Sequence, residues 1–177
     1  MSELAETMMT MPGEAVQETP PDFPSLVREH QGMVFSIAYS FLRDRSTAEE
    51  IAQDVFLELY RALPTLESGR HVQHWLRRVT AHRSIDHIRK RRPTLALVDV
   101  REPSVPSGEG DVLLDAKLRR LIANLPEQAR MAVILRYQED MAPAEIAEIL
   151  NIPVQTVKSR LHRSMALLRE KLQRSTK

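Results

Sequence analysis

The chain has 177 residues, a net charge of +1, 5% aromatic residues, five glycines and no cysteine. The length allows one or two domains, and the missing thiols exclude disulfides and thiolate metal ligands, in keeping with a reducing cytoplasm. Low aromatic content and few glycines favour an all-helical protein. No apolar run is long enough to span a bilayer, and no basic flank precedes an apolar stretch as in a secretory signal.

Residues 1–24 carry Pro12, Pro20, Pro21 and Pro24, five acids and no Lys or Arg, and read as a disordered tail. From Ser25 the pattern turns helical, with Leu26, Met33, Val34, Ile37, Ala38 and Phe41 on one stripe up to about Arg43. Ser46 and Glu49 form a capping box, with Ser46 as the expected N-cap of a second helix. That helix buries Ala48, Ile51, Ala52, Val55 and Leu59, turns Leu57 almost opposite to them, and breaks at Pro64. A polar loop from Thr65 to Gln73 leads to a third helix ending in the Arg89–Arg92 run. Residues 93–111 hold three prolines and two glycines with net charge −3, and read as a flexible linker.

Beyond the linker, Val112–Ala123 has Leu114, Leu118, Leu121 and Ile122 at helical spacing. Pro126 and Glu127 open a further helix carrying Val133, Ile134 and Tyr137. The stretch from Met141 to Leu172 then reads as two helices joined by a tight turn. Pro143 suits a first helical turn, where its missing N–H costs nothing, and Ile146, Ala147 and Leu150 form an apolar face. Asn151 tolerates a left-handed turn conformation, and Pro153 opens the second helix. On that helix Val157, Leu161, Met165, Leu168 and Leu172 recur at helical period. Gln155, Lys158, Ser159 and His162 face the other way, flanked by Thr156, Arg160 and Arg163. This is the layout of a helix-turn-helix, whose second helix enters the major groove. Each half, 25–92 and 112–177, holds about 70 residues, near the lower limit for a self-sufficient core.

The near-neutral total hides two basic islands. Residues 70–92 carry +7 and residues 154–177 carry +6, leaving −12 on the rest. Two separated islands on an acidic chain are the footprint of two contacts with one polyanion.

Three segments in this order resemble the extracytoplasmic-function sigma factors of the sigma-seventy family. AEEIAQDVFLELYRAL (48–63) resembles the family's core-polymerase-binding segment, and HWLRRVTAHRSIDHIRKRR (74–92) its −10 recognition and melting segment. Residues 125–172 resemble its −35 lobe. The resemblance implies an all-α chain: a domain over 25–92, a linker over 93–111 and a helix-turn-helix domain over 112–177. It implies a non-catalytic subunit that binds core RNA polymerase through the clamp helices and flap, holds promoter DNA as duplex and as single strand, and is restrained by an anti-sigma factor. No cofactor, metal, small-molecule substrate or membrane insertion is implied.

Residue by residue, the resemblance assigns Gln155, Thr156, Lys158, Ser159, Arg160 and Arg163 to the −35 element, where Arg and Lys suit guanine edges and Gln suits adenine. It assigns Arg77, Arg78, His82, Arg83, Asp86, Arg89 and Lys90 to the −10 element and melting. His82 stands where the family commonly has asparagine. Gln53, Asp54, Leu57, Tyr60 and Arg61 match the polymerase-docking face, and Leu66–His71 the pocket for a flipped-out base. Trp75 is assigned to the core.

Two rivals fit less of the chain. A stand-alone helix-turn-helix regulator explains 112–174 but leaves the first basic helix unused. An enzyme would need His71, His74, His82, Asp86 and His87 to gather round a metal, yet His82 and His87 are five apart and diverge, and no HExxH or phosphate-cradling glycine loop is present.

Overall fold

A computed structural model describes residues 22–66, 68–91 and 112–174. Most of the tail expected over 1–24, and the linker expected over 93–111, lie outside these residues. Among the described residues all regular structure is helical: α1 Phe23–Leu42, α2 Arg45–Ala62, α3 Gly69–Arg91, α4 Val112–Ala123, α5 Glu127–Tyr137, α6 Pro143–Leu150 and α7 Val154–Arg174.

The helix ends follow from local chemistry, not always at the residues the pattern singled out. α1 begins at Phe23, ahead of the expected Ser25, because Pro24 is well tolerated in a first turn. It stops at Arg43, which takes a left-handed conformation (φ 61°) and donates its N–H to the Tyr39 carbonyl. Ser46 is not the cap of α2. The helix opens at Arg45, and the Asp44 carboxylate accepts the Thr47 N–H at 2.7 Å. Glu49 pairs sideways with Arg45 at 2.8 Å instead of reaching back. The earlier start provides a charged acceptor for an orphan N–H of the first turn, that of Thr47, and Thr47 and Ala48 are buried. The expected Thr65–Gln73 loop is also shorter. A 3-10 turn over Leu63–Thr65 follows α2, and α3 begins at Gly69 with the Ser68 hydroxyl accepting the His71 N–H at 3.2 Å.

Two apolar clusters hold the helices. One lies wholly within the first lobe and joins Leu26, Val34, Ala38, Ile51, Val55, Phe56, Leu59, Val72 and Leu76, with Trp75 packed at its edge. The other crosses between the lobes. Ile37 and Phe41 of α1 and Ala81 and Ile85 of α3 pack with Met131, Leu135, Ile146, Ile149 and Val157. The linker is therefore not the sole connection between the halves, because α1 and α3 are each apolar on two sides. Packing the two lobes, each of about 70 residues, against a common core relieves the size limit that either meets alone.

Candidate nucleic-acid interface

The helix-turn-helix forms as its sequence predicts. Pro143 occupies the first turn of α6, and the Glu145 carboxylate accepts the Ala142 N–H at 2.6 Å. Asn151 takes the left-handed conformation (φ 52°, ψ 51°) that ends α6, and the Ile152 N–H returns to the Ala147 carbonyl at 3.1 Å. The Pro153 carbonyl then starts α7 by accepting from Thr156 and Val157. α7 buries Val157, Leu161, Ser164 and Leu168, which turns its other side outward. Gln155, Lys158 and Arg163 are exposed, and Thr156, Ser159 and Arg160 are half-buried along the same N-terminal stretch. Ser159 spends its hydroxyl on the Gln155 carbonyl at 2.9 Å. Arg160 has Nη1 buried with no hydrogen-bond partner, so this donor is unspent.

The basic helix α3 differs from a continuous open track. Arg78, Asp86 and Lys90 are exposed. Arg77 donates to Glu139 at 3.1 Å, and Arg89 to Glu127 at 3.3 Å, both acids coming from the second lobe. His82 Nε2 lies 2.6 Å from the Ile149 carbonyl at the C-terminus of α6, where it fills one of that helix's orphan acceptors. Arg83 turns back within its own lobe, to Asp54 at 2.8 Å and to Glu58.

On α2, Gln53, Leu57, Tyr60 and Arg61 are exposed and Asp54 is half-buried. Leu57 is 59% and Tyr60 64% accessible. Tyr60 is fixed at one edge by Phe23, ring centroids 5.2 Å apart and 75° between planes. Two exposed apolar side chains one turn apart, bordered by Gln53, Asp54 and Arg61, suit a protein partner better than a nucleic acid. Hydrogen bonds from Thr47, its hydroxyl first and its backbone N–H second, hold the nearby Asp44 carboxyl below the ordinary carboxylate value.

Four residues at the lobe junction carry no sequence signal. Glu139 and Glu127 meet arginines 62 and 38 positions away. Gln138 exchanges hydrogen bonds with Ser40 and Ser36. Arg130 donates to the Phe41 carbonyl at 2.9 Å. Glu127 and Arg130 lie on α5, EQARMAVILRY, which carries Arg136 as well, so charge alone does not single them out. Among the described residues no three His, Asp or Glu side chains are placed to share a metal ion, and no helix is long and apolar enough to cross a membrane.

Comparison with known proteins bears directly on this arrangement. Residues 26–94 match the family model for sigma-70 region 2, and residues 115–168 match the model for sigma-70 region 4. The chain is 30% identical over 169 residues to the ECF RNA polymerase sigma factor SigW of Bacillus subtilis (strain 168), covering 85% of this chain and 88% of that protein. The chain belongs to the extracytoplasmic-function sigma factors. A second relative, the ECF RNA polymerase sigma-E factor of Escherichia coli (strain K12), is 29% identical over 166 residues, covering 85% and 86% of the two chains. Among solved structures, the sigma factor RpoE from Bartonella quintana, in complex with the anti-sigma factor NepR, superposes with a TM-score of 0.72 at 21% identity. It covers 86% of this chain and 97% of that one. CnrH, in complex with the cytosolic domain of CnrY, superposes at 0.63 with 23% identity, covering 85% and 87%. These likenesses carry the fold. As a sigma factor, the chain works with core RNA polymerase to direct transcription initiation, and the stand-alone regulator is not favoured.

Proposed function

We propose that the sigma factor divides its work between its two basic helices and the exposed face of α2. The outer side of α7, from Gln155 to Arg163, reads the −35 duplex, with Lys158 and Arg160 as donors to guanine edges or phosphates and Gln155 to adenine. The basic helix α3, through Arg77, Arg78, His82, Arg83, Arg89 and Lys90, takes the −10 element and the opened strand, with Asp86 at its exposed edge. Gln53, Asp54, Leu57, Tyr60 and Arg61 dock on the polymerase clamp helices, and the second lobe meets the flap. The chain supplies position and strand opening while the polymerase supplies the chemistry, so no catalytic residue or cofactor is assigned to it. It acts in the cytoplasm, and an anti-sigma protein restrains it, as the solved complex of one structural neighbour with the anti-sigma factor NepR supports.

The observation that carries this reading is the pairing of an exposed, donor-rich recognition helix in one lobe with an exposed apolar face on α2 in the other. A duplex-only regulator needs the first and has no use for the second. Run-off transcription with purified core enzyme on a promoter library tests it. New start sites that depend on the chain, with protection at both −35 and −10, are expected. Identical transcripts with and without the chain on every template would refute it.

A further inference from the structure

We propose that Arg83 is a positioning residue of the polymerase-docking face: it reaches from α3 across to α2 and holds Asp54 and Glu58 in place beside Leu57. The inference rests on the reading of that α2 face as the polymerase contact, and it adds Glu58 and Arg83 to the residues that shape it. Whatever Arg83 gives an opened strand, in the chain without DNA its guanidinium is spent on α2.

Nη1 of Arg83 donates to Oδ2 of Asp54 at 2.8 Å, and Nη2 donates to Oε1 of Glu58. Asp54, Leu57, Glu58 and Arg61 stand at i, i+3, i+4 and i+7 along α2 and so share one side of it. Asp54 and Glu58 are therefore neighbours one turn apart, and like charges at that spacing repel and weaken a helix. The planar fork of an arginine offers one nitrogen to each carboxylate, a geometry that an ammonium does not reproduce. It removes the repulsion and fixes both acids next to the exposed Leu57. The fork does not depend on the second lobe. Arg77 and Arg89 of the same helix pair with Glu139 and Glu127 of that lobe, whereas Arg83 pairs inside its own.

The side chains of Arg83, Asp54 and Glu58 are 39%, 46% and 32% accessible. In the free chain water therefore screens the fork, and it adds little to stability. A protein that settles on Leu57 and Tyr60 dries their surroundings. Lowering the effective dielectric from that of water to about 20 strengthens the attraction about fourfold. Without Arg83, the same docking would cover two like charges with no cation between them, which is costly. The contribution of Arg83 falls on polymerase binding and not on folding, and that difference separates a positioning role from a structural one.

The chain has no cysteine, so one introduced at exposed Gln31 takes a fluorescein label cleanly. Anisotropy of the full chain titrated with core polymerase, in the absence of DNA, reads docking. Arg83→Gln should weaken it about fivefold or more, with a urea unfolding midpoint close to that of the parent. Arg28→Gln, at an exposed arginine of α1 with the same change in charge, should shift binding less than about twofold. Exchanging the charges, Glu58→Arg with Arg83→Glu, should bring binding back to within about twofold of the parent, because a cation at position 58 lies one turn from Asp54. Should Arg83→Gln fail to fold by circular dichroism, Arg83→Lys decides: it keeps the charge, loses the fork and should bind about twofold or more weaker, and parental affinity would overturn the proposal. Leu57→Glu on the same titration tells the two ideas apart. If it loses core binding while Arg83→Gln does not, the fork is overturned and the face stands. If it binds as the parent does, the face falls and the fork with it. An exchange that does not restore binding, or an unfolding midpoint that drops in step with affinity, also overturns the positioning role.

Discussion

Arg83 of α3 donates to Asp54 of α2 at 2.8 Å, tying a residue of the helix proposed for the −10 element to one of the face proposed for polymerase docking. Both side chains are more than a third accessible, so water screens the pair. A double-mutant cycle with Arg83→Ala and Asp54→Ala should give a coupling of about 0.2–1 kcal/mol in urea unfolding. A coupling above about 2 kcal/mol would mean that the pair, with Glu58, acts as a buried network.

Leu57 projects from α2 with more than half its surface in water, so Leu57→Glu should leave stability within about 0.5 kcal/mol. A charge placed at the centre of a docking face loses at least tenfold in core binding when the site is a hot spot, about 1.4 kcal/mol or more. Co-purification with core enzyme checks this. Undiminished recovery of Leu57→Glu would remove the face from the interface.

Arg160 is half-buried, and its Nη1 makes no hydrogen bond within the chain, so turning that nitrogen out to DNA breaks none. Arg160→Ala should lose about 1–3 kcal/mol on the −35 duplex and much less on scrambled duplex. Arg163, exposed on the flank, should instead lose affinity evenly on both when replaced by Ala. Even losses at Arg160 would make it a phosphate contact.

The helices, the turn at Asn151 and the outward face of Leu57 were legible because they depend on neighbours within about one helical turn. Period fixes which residues share a side, and a residue that tolerates positive φ fixes the turn. The shared core was not legible. Ile37 and Phe41 fall on the same stripe as Val34 and Ala38, and nothing local says that the stripe is wide enough to serve two clusters. The pairing of the basic helix α3 was hidden for the same reason. Arg77 looks like a free cation beside its sequence neighbours, and only the fold brings Glu139 to it. The cap of α2 was misplaced by two residues because Asp44 and Ser46 both suit the position, and the choice rests on what each start buries.

The Asp44 cap gives a pH dependence of known sign. Its carboxyl is held below the ordinary value, so the fold favours the ionised form. Its contribution is complete above about pH 4, the unfolded value, and is lost as pH falls through the lowered folded value. Asp44→Ala should cost about 1 kcal/mol at pH 7 and progressively less below pH 4. Urea melts of both proteins at pH 7 and pH 3 check this, and a constant difference would contradict the cap.

Arg130 ties three segments of the chain together at the junction. Its guanidinium donates to the Phe41 carbonyl near the end of α1 at 2.9 Å, to the Leu125 carbonyl at 3.3 Å and to the Ala123 carbonyl that ends α4. Helix ends leave four carbonyls without intrahelical donors. In α4 the N–H groups of Asn124 and Leu125 serve Arg120, Leu121 and Ile122, and only Ala123 is left for Arg130. The same cation lies 5.2 Å from the Phe41 ring centroid. Arg130→Met keeps the apolar stem and removes every donor, and should cost about 2–4 kcal/mol in urea unfolding. Arg130→Lys should recover less than half of that, because a single ammonium cannot match a planar fork spread over carbonyls of two helices and the loop between α4 and α5. A lysine variant as stable as the parent would show that charge near the helix ends suffices and that the fork geometry is immaterial.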